Sequence, residues 1–185
     1  MALAKYAYVC EPTVTGVLAV YLAEKASFPT VVSYTSGEIS TFTAAATGFK
    51  EVGFKIDSAE FESDTPEFEN TPMVTNKITI MLSGPSALLN TFLTALQAAI
   101  PCGVQMIFTI GNGKSFLVGH SSSEGNKRPM SKMSKKYVSG AKPGESGKGT
   151  YQITISGTSS YDIEPFNTTI GGTITAGTAL FIDYN

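Results

Sequence analysis

The sequence predicts a mainly β (α+β) domain, an antiparallel β-sandwich or barrel with one packed α-helix and a long basic loop. Three observations carry this prediction. Apolar and polar residues alternate with a period of two in short runs punctuated by Gly, Pro, Asn and Ser. A helical stripe stands out in one segment, between Pro85 and Pro101. Thr and Ser are abundant, Trp is absent and a single His is present, a palette that favours strands.

At 185 residues the chain is read as one domain, 1–185, long enough to bury about 70% of its unfolded surface. Only 15% of residues are charged, against a usual ~25%, so Ser, Thr, Asn and Gly, or other subunits, must cover much of the surface. No secretory signal is visible after Met1, and the longest apolar stretch, Gly16 to Ala23, is too short to span a bilayer. Cys10 and Cys102 are therefore expected to be reduced, buried thiols.

The elements follow in order. Val17 to Leu22 is apolar on both faces, which suggests a buried strand, although so short a run does not exclude a helix. Val31 to Thr35 and Glu38 to Phe42 flank Ser36-Gly37 as a hairpin. Val52, Phe54 and Ile56 alternate with polar neighbours, then Ala59 and Phe61 take over the apolar parity, which reads as a bulge at Asp57-Ser58. Ser63 to Pro72 reads as a loop, and Met73 to Leu82 as a strand. Leu88, Leu89, Phe92, Leu93, Leu96 and Ile100 form the helical stripe, with Pro85 in the first turn and Pro101 as the stop. Val104 to Ile110 and Ser115 to Val118 surround Gly111-Asn112-Gly113, a strong hairpin turn. Residues 120–149 lose all periodicity and read as an inserted loop. Alternation resumes at Tyr151, Ile153 and Ile155, and Thr173 to Ile182 reads as a closing strand.

Charge is segregated along this order, beneath a net charge of −2. Asp57, Glu60, Glu62, Asp64, Glu67 and Glu69 place six of 15 acidic residues within thirteen positions. Lys127, Arg128, Lys132, Lys135, Lys136, Lys142 and Lys148 place seven of 13 basic residues within twenty-two. Such a molecule suits head-to-tail self-association or the handling of a charged polymer. The spacing of two puts Glu60, Glu62 and Asp64 on one face of an extended strand. Two readings of that row stay open, a solvated strand face and a wall that repels a polyanion. For the basic segment three stay open: a nucleic-acid arm, a loop that orders against a neighbouring subunit, and disorder.

No motif names a catalytic activity, and no catalytic, cofactor or metal residue is expected. Gly111-Asn-Gly-Lys-Ser115 ends like a phosphate-binding loop, but Phe108 stands where its first Gly belongs and no helix follows. His120 has no second His or Cys cluster beside it and reads as a lone surface or loop residue. The acidic row has no EF-hand spacing. Asn167-Thr168-Thr169 fits a glycosylation sequon that carries no meaning without export.

Several blocks taken in order carry a resemblance. They are Cys10, Gly16-Val-Leu-Ala-Val-Tyr-Leu-Ala-Glu24, Gly37-Glu-Ile-Ser-Thr-Phe42 and Phe49-Lys-Glu-Val-Gly-Phe-Lys-Ile56. The amphipathic helix, Gly111-Asn-Gly-Lys-Ser-Phe-Leu-Val-Gly119 and Gly149-Thr-Tyr-Gln-Ile-Thr-Ile-Ser-Gly157 continue the series. The order resembles the tail tube proteins of tailed bacteriophages that infect Bacteroidetes-type hosts. The resemblance implies a virion structural protein, made in the host cytoplasm, whose subunits form stacked hexameric rings around a DNA channel. It implies homo-oligomer and other tail-protein partners, with DNA passing through without specific binding and no membrane. It also casts the basic residues from Lys127 to Lys148 as an inter-subunit loop and Glu60, Glu62 and Asp64 as lumen- or ring-facing. A capsid decoration or head-completion protein, and a nucleic-acid-binding module using the basic segment, are the alternatives.

Overall fold

The computed structural model describes residues 16–27, 32–35, 38–42, 49–54, 58–65, 73–121, 125, 127–138, 149–159 and 163–165. The strands are β1 (Val17–Glu24), β2 (Val32–Thr35), β3 (Glu38–Phe42), β4 (Lys50–Val52), β5 (Ala59–Asp64) and β6 (Val74–Ser83). After the helix α1 (Ala87–Ala99) come β7 (Val104–Ile110), β8 (Ser115–Val118), β9 (Lys132–Val138), β10 (Thr150–Ser159) and β11 (Glu164–Pro165). They make a five-stranded sheet ordered β11-β8-β7-β1-β4, a four-stranded sheet ordered β5-β6-β10-β9, and the hairpin β2-β3. Every pairing is antiparallel. Among the described residues neither sheet closes on itself, so the mainly β prediction resolves to open sheets rather than a barrel.

The two sheets and the helix share one core. Val20, Leu22, Met106 and Phe108 of the five-stranded sheet meet Ile78, Ile80, Leu82, Ile153 and Ile155 of the four-stranded sheet. Leu89, Phe92, Leu93 and Leu96 of α1 join the same cluster. The Phe61 and Phe108 rings, one from each sheet, stack at 4.2 Å. On the far face of the five-stranded sheet, Ala23, Ile107 and Leu117 pack with Ile39 and Phe49 in a second, smaller cluster. β1 and β7 are thus buried on both faces, which accounts for their nearly continuous apolar sequence.

Helix α1 begins at Ala87, two residues after Pro85. Ser86 is the N-cap, and its side chain accepts a hydrogen bond from the Leu89 N–H at 3.1 Å. Beyond the helix the chain tightens through Ile100–Cys102 and leaves at Gly103, whose φ of 91° suits glycine. Leu88 is not part of the anchor: it is 58% exposed, while Leu89, Phe92, Leu93, Leu96 and Ile100 are buried. One residue is about 100° of helix rotation, so Leu88 falls off the edge of the stripe centred on Leu89 and Leu96. Cys102 is likewise exposed, not buried as expected, because it sits past the last apolar turn. Cys10 lies outside the described residues.

Three further expectations change. The parity switch near Asp57-Ser58 is not a bulge within one strand, since β4 pairs in the five-stranded sheet and β5 in the four-stranded one. The chain changes sheets there, so its apolar face is redefined by a new core; residues 55–57 themselves lie outside the described set. Ser63 and Asp64 belong to β5, not to a loop. The inserted loop of 120–149 contains a strand, because β9 pairs along its whole length with β10, from Thr150 opposite Val138 to Ser156 opposite Lys132.

The approach to β9 is anchored. Met130 is 1% exposed, and its backbone exchanges two 2.9 Å hydrogen bonds with Val104. Gly157 makes room for it, since a Cβ there would stand 2.7 Å from the Met130 Cα. Gly103 does the same for Pro129, whose Cγ would lie 2.2 Å from an added Cβ. A segment rich in Lys and Ser is therefore held by one buried methionine and close backbone contacts. The hairpin β7-β8 forms as read, with Gly113 at a φ of 82° and the Lys114 N–H donating to Asn112 Oδ1. Ser36-Gly37, Lys142, Lys148, Asn167 and the expected strand from Thr173 to Ile182 lie outside the described residues.

Candidate functional site

The four-stranded sheet gathers most of the described charged residues singled out in the sequence. Ala59 and Phe61 of β5 pair opposite Ile80 and Ile78, so they turn toward the core. Glu60, Glu62 and Asp64 consequently share the outer face, and all three are exposed. On β9, Met133 and Tyr137 lie opposite Ile155 and Tyr151, and Lys135 lies opposite Ile153. Lys132, Ser134 and Lys136 therefore share the outer face with the acidic row. Lys127 and Arg128 are exposed in the turn before Met130. Asp57, Glu67 and Glu69 lie outside the described residues.

Between these edge strands, β6 and β10 turn Thr75, Lys77, Thr79, Gln152, Thr154, Ser156 and Thr158 outward, in alternation with buried Ile and Val. Thr79 and Thr154 join hydroxyls at 3.3 Å across the strands. The outer face is mostly hydroxyls and one amide, acidic at the β5 side and basic at the β9 side, with Met81 and Val138 as its exposed apolar side chains. Glu62 is ion-paired with Lys77 on the neighbouring strand. The hydrogen bond that Lys77 donates to Glu62, then the charge of Glu62, and the further charges of Glu60 and Asp64 raise the Lys77 pKa above its ordinary value. Counting Lys77, Lys132 and Lys136 against the three carboxylates, this face is balanced in charge. Neither reading of the acidic row, solvated face or repelling wall, included Lys77, because only the β5–β6 pairing sets Lys77 opposite Glu62.

A second polar cluster was not legible in the sequence. The Tyr34 hydroxyl donates to Glu164 Oε2 at 2.7 Å, and His120 Nδ1 lies 3.1 Å from both that oxygen and the Tyr34 hydroxyl. The His120 side chain is 6% exposed and that of Glu164 14%, so of the surface or loop residue expected, His120 is a loop residue with an enclosed side chain. An ionised carboxylate only accepts, which puts the Nδ1 hydrogen of His120 toward Glu164. The three residues tie the hairpin β2-β3 to the end of β8 and to β11. The cluster has the partners of an acid–base pair but is enclosed, and its evident role is to clasp these elements. Nearby in the sheet, Gln105 is fully buried, and neither atom of its amide has a hydrogen-bond partner.

Burial first, then the hydrogen bond to Glu164 and its negative charge, pushes the Tyr34 pKa well above its ordinary value of 10.0. A group with a raised folded pKa stabilises the fold fully below its unfolded pKa and loses that contribution as pH rises through the folded one. Unfolding free energies of the wild type are thus expected to fall above about pH 10. Tyr34→Phe should lack that part of the fall when both are compared by urea titration between pH 8 and 12. Parallel curves for the two proteins would show that Tyr34 is not held in the clasp.

Among the described residues no group of three His, Cys, Asp or Glu is placed to hold a metal ion. No helix of the described residues is long and apolar enough to cross a membrane. A shallow depression between the end of α1 and β9 is lined by Gln97, Ile100, Pro101, Met133 and Lys135, with no acid–base pair or nucleophile. Comparison of the chain with family models, curated proteins and solved structures returned no match.

Proposed function

We propose that the chain is a self-assembling tail tube subunit of a bacteriophage virion, forming stacked, hexameric rings that make a channel for DNA delivery. One observation carries the proposal: a four-stranded antiparallel sheet whose two edges, β5 and β9, carry opposite charge. Unpaired sheet edges are a liability in a monomer, and ring closure removes them. A contact between unlike edges is head-to-tail, which closes a ring or grows a filament. The outer face of that sheet suits a channel wall. Hydroxyls, an amide and balanced charges dominate it, beside the exposed Met81 and Val138, and supply no cationic surface that would hold DNA through counterion release.

The nucleic-acid alternative fits less well. Lys135 is on the opposite face of β9 from Lys132 and Lys136, and the carboxylates of β5 share the face of the latter pair. A polyanion would meet no unbroken cationic strip on that sheet. A decoration or head-completion protein has no use for two edges of unlike charge. In this proposal the protein resides in the virion tail, is made in the host cytoplasm, and meets other tail proteins at the ends of the tube. It performs no catalysis.

Negative-stain microscopy of purified protein over a concentration series tests the proposal. Rings or tubes are expected. Particles that stay monomeric at high concentration, both alone and with virion tail components, would count decisively against it.

A further inference from the structure

We propose that the lateral joint between subunits is an antiparallel pairing of β9 of one copy with β5 of the next. Its register sets Glu60 against Lys136, Glu62 against Ser134, and Asp64 against Lys132. The inference rests on the self-assembling role proposed above and assigns its contact strand by strand.

Sheet order supplies the partner edges. Among the described residues β5 pairs only with β6, and β9 only with β10. Both are exposed along the outer face, and none of Glu60, Asp64, Lys132 and Lys136 has an ion-pair partner among the described residues. Strand direction supplies the sense. Each of the four strands is antiparallel to its neighbour, so β5 and β9 run in opposite directions. A rotation about an axis along the strands keeps every direction, which brings β9 antiparallel to the next β5. The sheet then continues without a break in its alternation.

Charge selects this partner over the other two. A twofold joint of β5 with β5 would face carboxylates with carboxylates, and β9 with β9 would face lysines with lysines. Only the unlike pairing is attractive. Register follows from the spacing of two on both strands. Moving the pairing by two residues either way leaves one opposite-charge pair on the outer face, whereas the proposed register makes two. It also sets Glu62 against a serine, leaving its ion pair with Lys77 intact. On the inner face this register places Tyr137, 47% exposed in the subunit, beside the small Ala59. It also lays the Lys135 stem along Phe61, which is already stacked on Phe108.

Two charge-reversed proteins test the joint. Glu60→Lys with Asp64→Lys makes both edges positive, and Lys132→Glu with Lys136→Glu makes both negative. At low salt each is expected to sediment as a monomer where the wild type assembles. An equimolar mixture should regain assemblies containing both proteins, since each then offers the edge that the other lacks. Added salt should weaken the distinction, because exposed charges are screened within about 8–10 Å. Circular dichroism checks that each variant is folded.

A second measurement does not depend on charge. Glu62→Cys with Ser134→Cys, in a chain with Cys10 and Cys102 replaced by Ala, should give an intermolecular disulfide ladder on oxidation. Glu60→Cys with Ser134→Cys should give much less. Either reversed protein assembling alone like the wild type, a mixture that stays monomeric, or a ladder from the shifted pair would overturn the register. If wild-type rings form and these tests fail, the tube reading stands and only the joint is lost. If the wild type never assembles, both fall together.

Discussion

Phe92→Ala is expected to lower the unfolding free energy by about 3–5 kcal/mol. Phe92 is 3% exposed and lies in the cluster where both sheets and α1 meet, so its removal leaves a cavity bounded by three elements. Two sheets cannot both move toward the gap without breaking their strand pairings, which argues for the upper half of that range. Urea denaturation followed by circular dichroism measures it, with Leu88→Ala as the control. Leu88 is in the same helix and 58% exposed, so its replacement should shift stability by no more than about 0.5 kcal/mol. Equal losses from the two substitutions would mean that the helix presents a different face to the sheets.

The second large effect concerns the basic segment. Were residues 126–148 only a loop, they would be removable without loss of the fold. The strand pairing reverses that expectation. Deleting Met130–Val138 strips the whole of β9 from β10 and removes a buried methionine with its two backbone bonds to Val104. Met130→Ala by itself should cost about 2–5 kcal/mol. The deletion exceeds this, because it also uncovers the edge of β10 and the apolar surface under Met133 and Tyr137. The expected product melts without cooperativity or aggregates on expression. A soluble deletion protein with wild-type near-ultraviolet dichroism and an unchanged melting temperature would show that β9 adds nothing to the core. Charge reversal on the outer face of β9 leaves Met130 untouched, which is why it probes assembly and the deletion probes folding.

Elements that bury much apolar surface were legible residue by residue. The stripe of α1, the alternation of β6 and β10, and the hairpin at Gly111-Asn112-Gly113 all write their environment into the period of the sequence. β9 did not, because an edge strand with one face in solvent needs few apolar residues. Met133 and Tyr137 alone mark its inner face, and Lys135 interrupts them. The clasp of Tyr34, His120 and Glu164 was hidden for another reason, since its members lie 86 and 44 positions apart and have no shared motif. The acidic row and the basic lysines were seen, but not that they bound one sheet on opposite edges.

The sequence by itself determined the mainly β class, the single long helix, most strand positions and the segregation of charge. These are local properties, set by alternation, turn chemistry and the tally of charged side chains. Tertiary structure alone decided which strands are neighbours, that β4 and β5 belong to different sheets, and that a lysine-rich segment is a strand. It also decided that Lys77 partners Glu62 and that His120 is enclosed. Strand pairing is a long-range choice made by the shared core, and no period within a strand encodes which partner lies beside it.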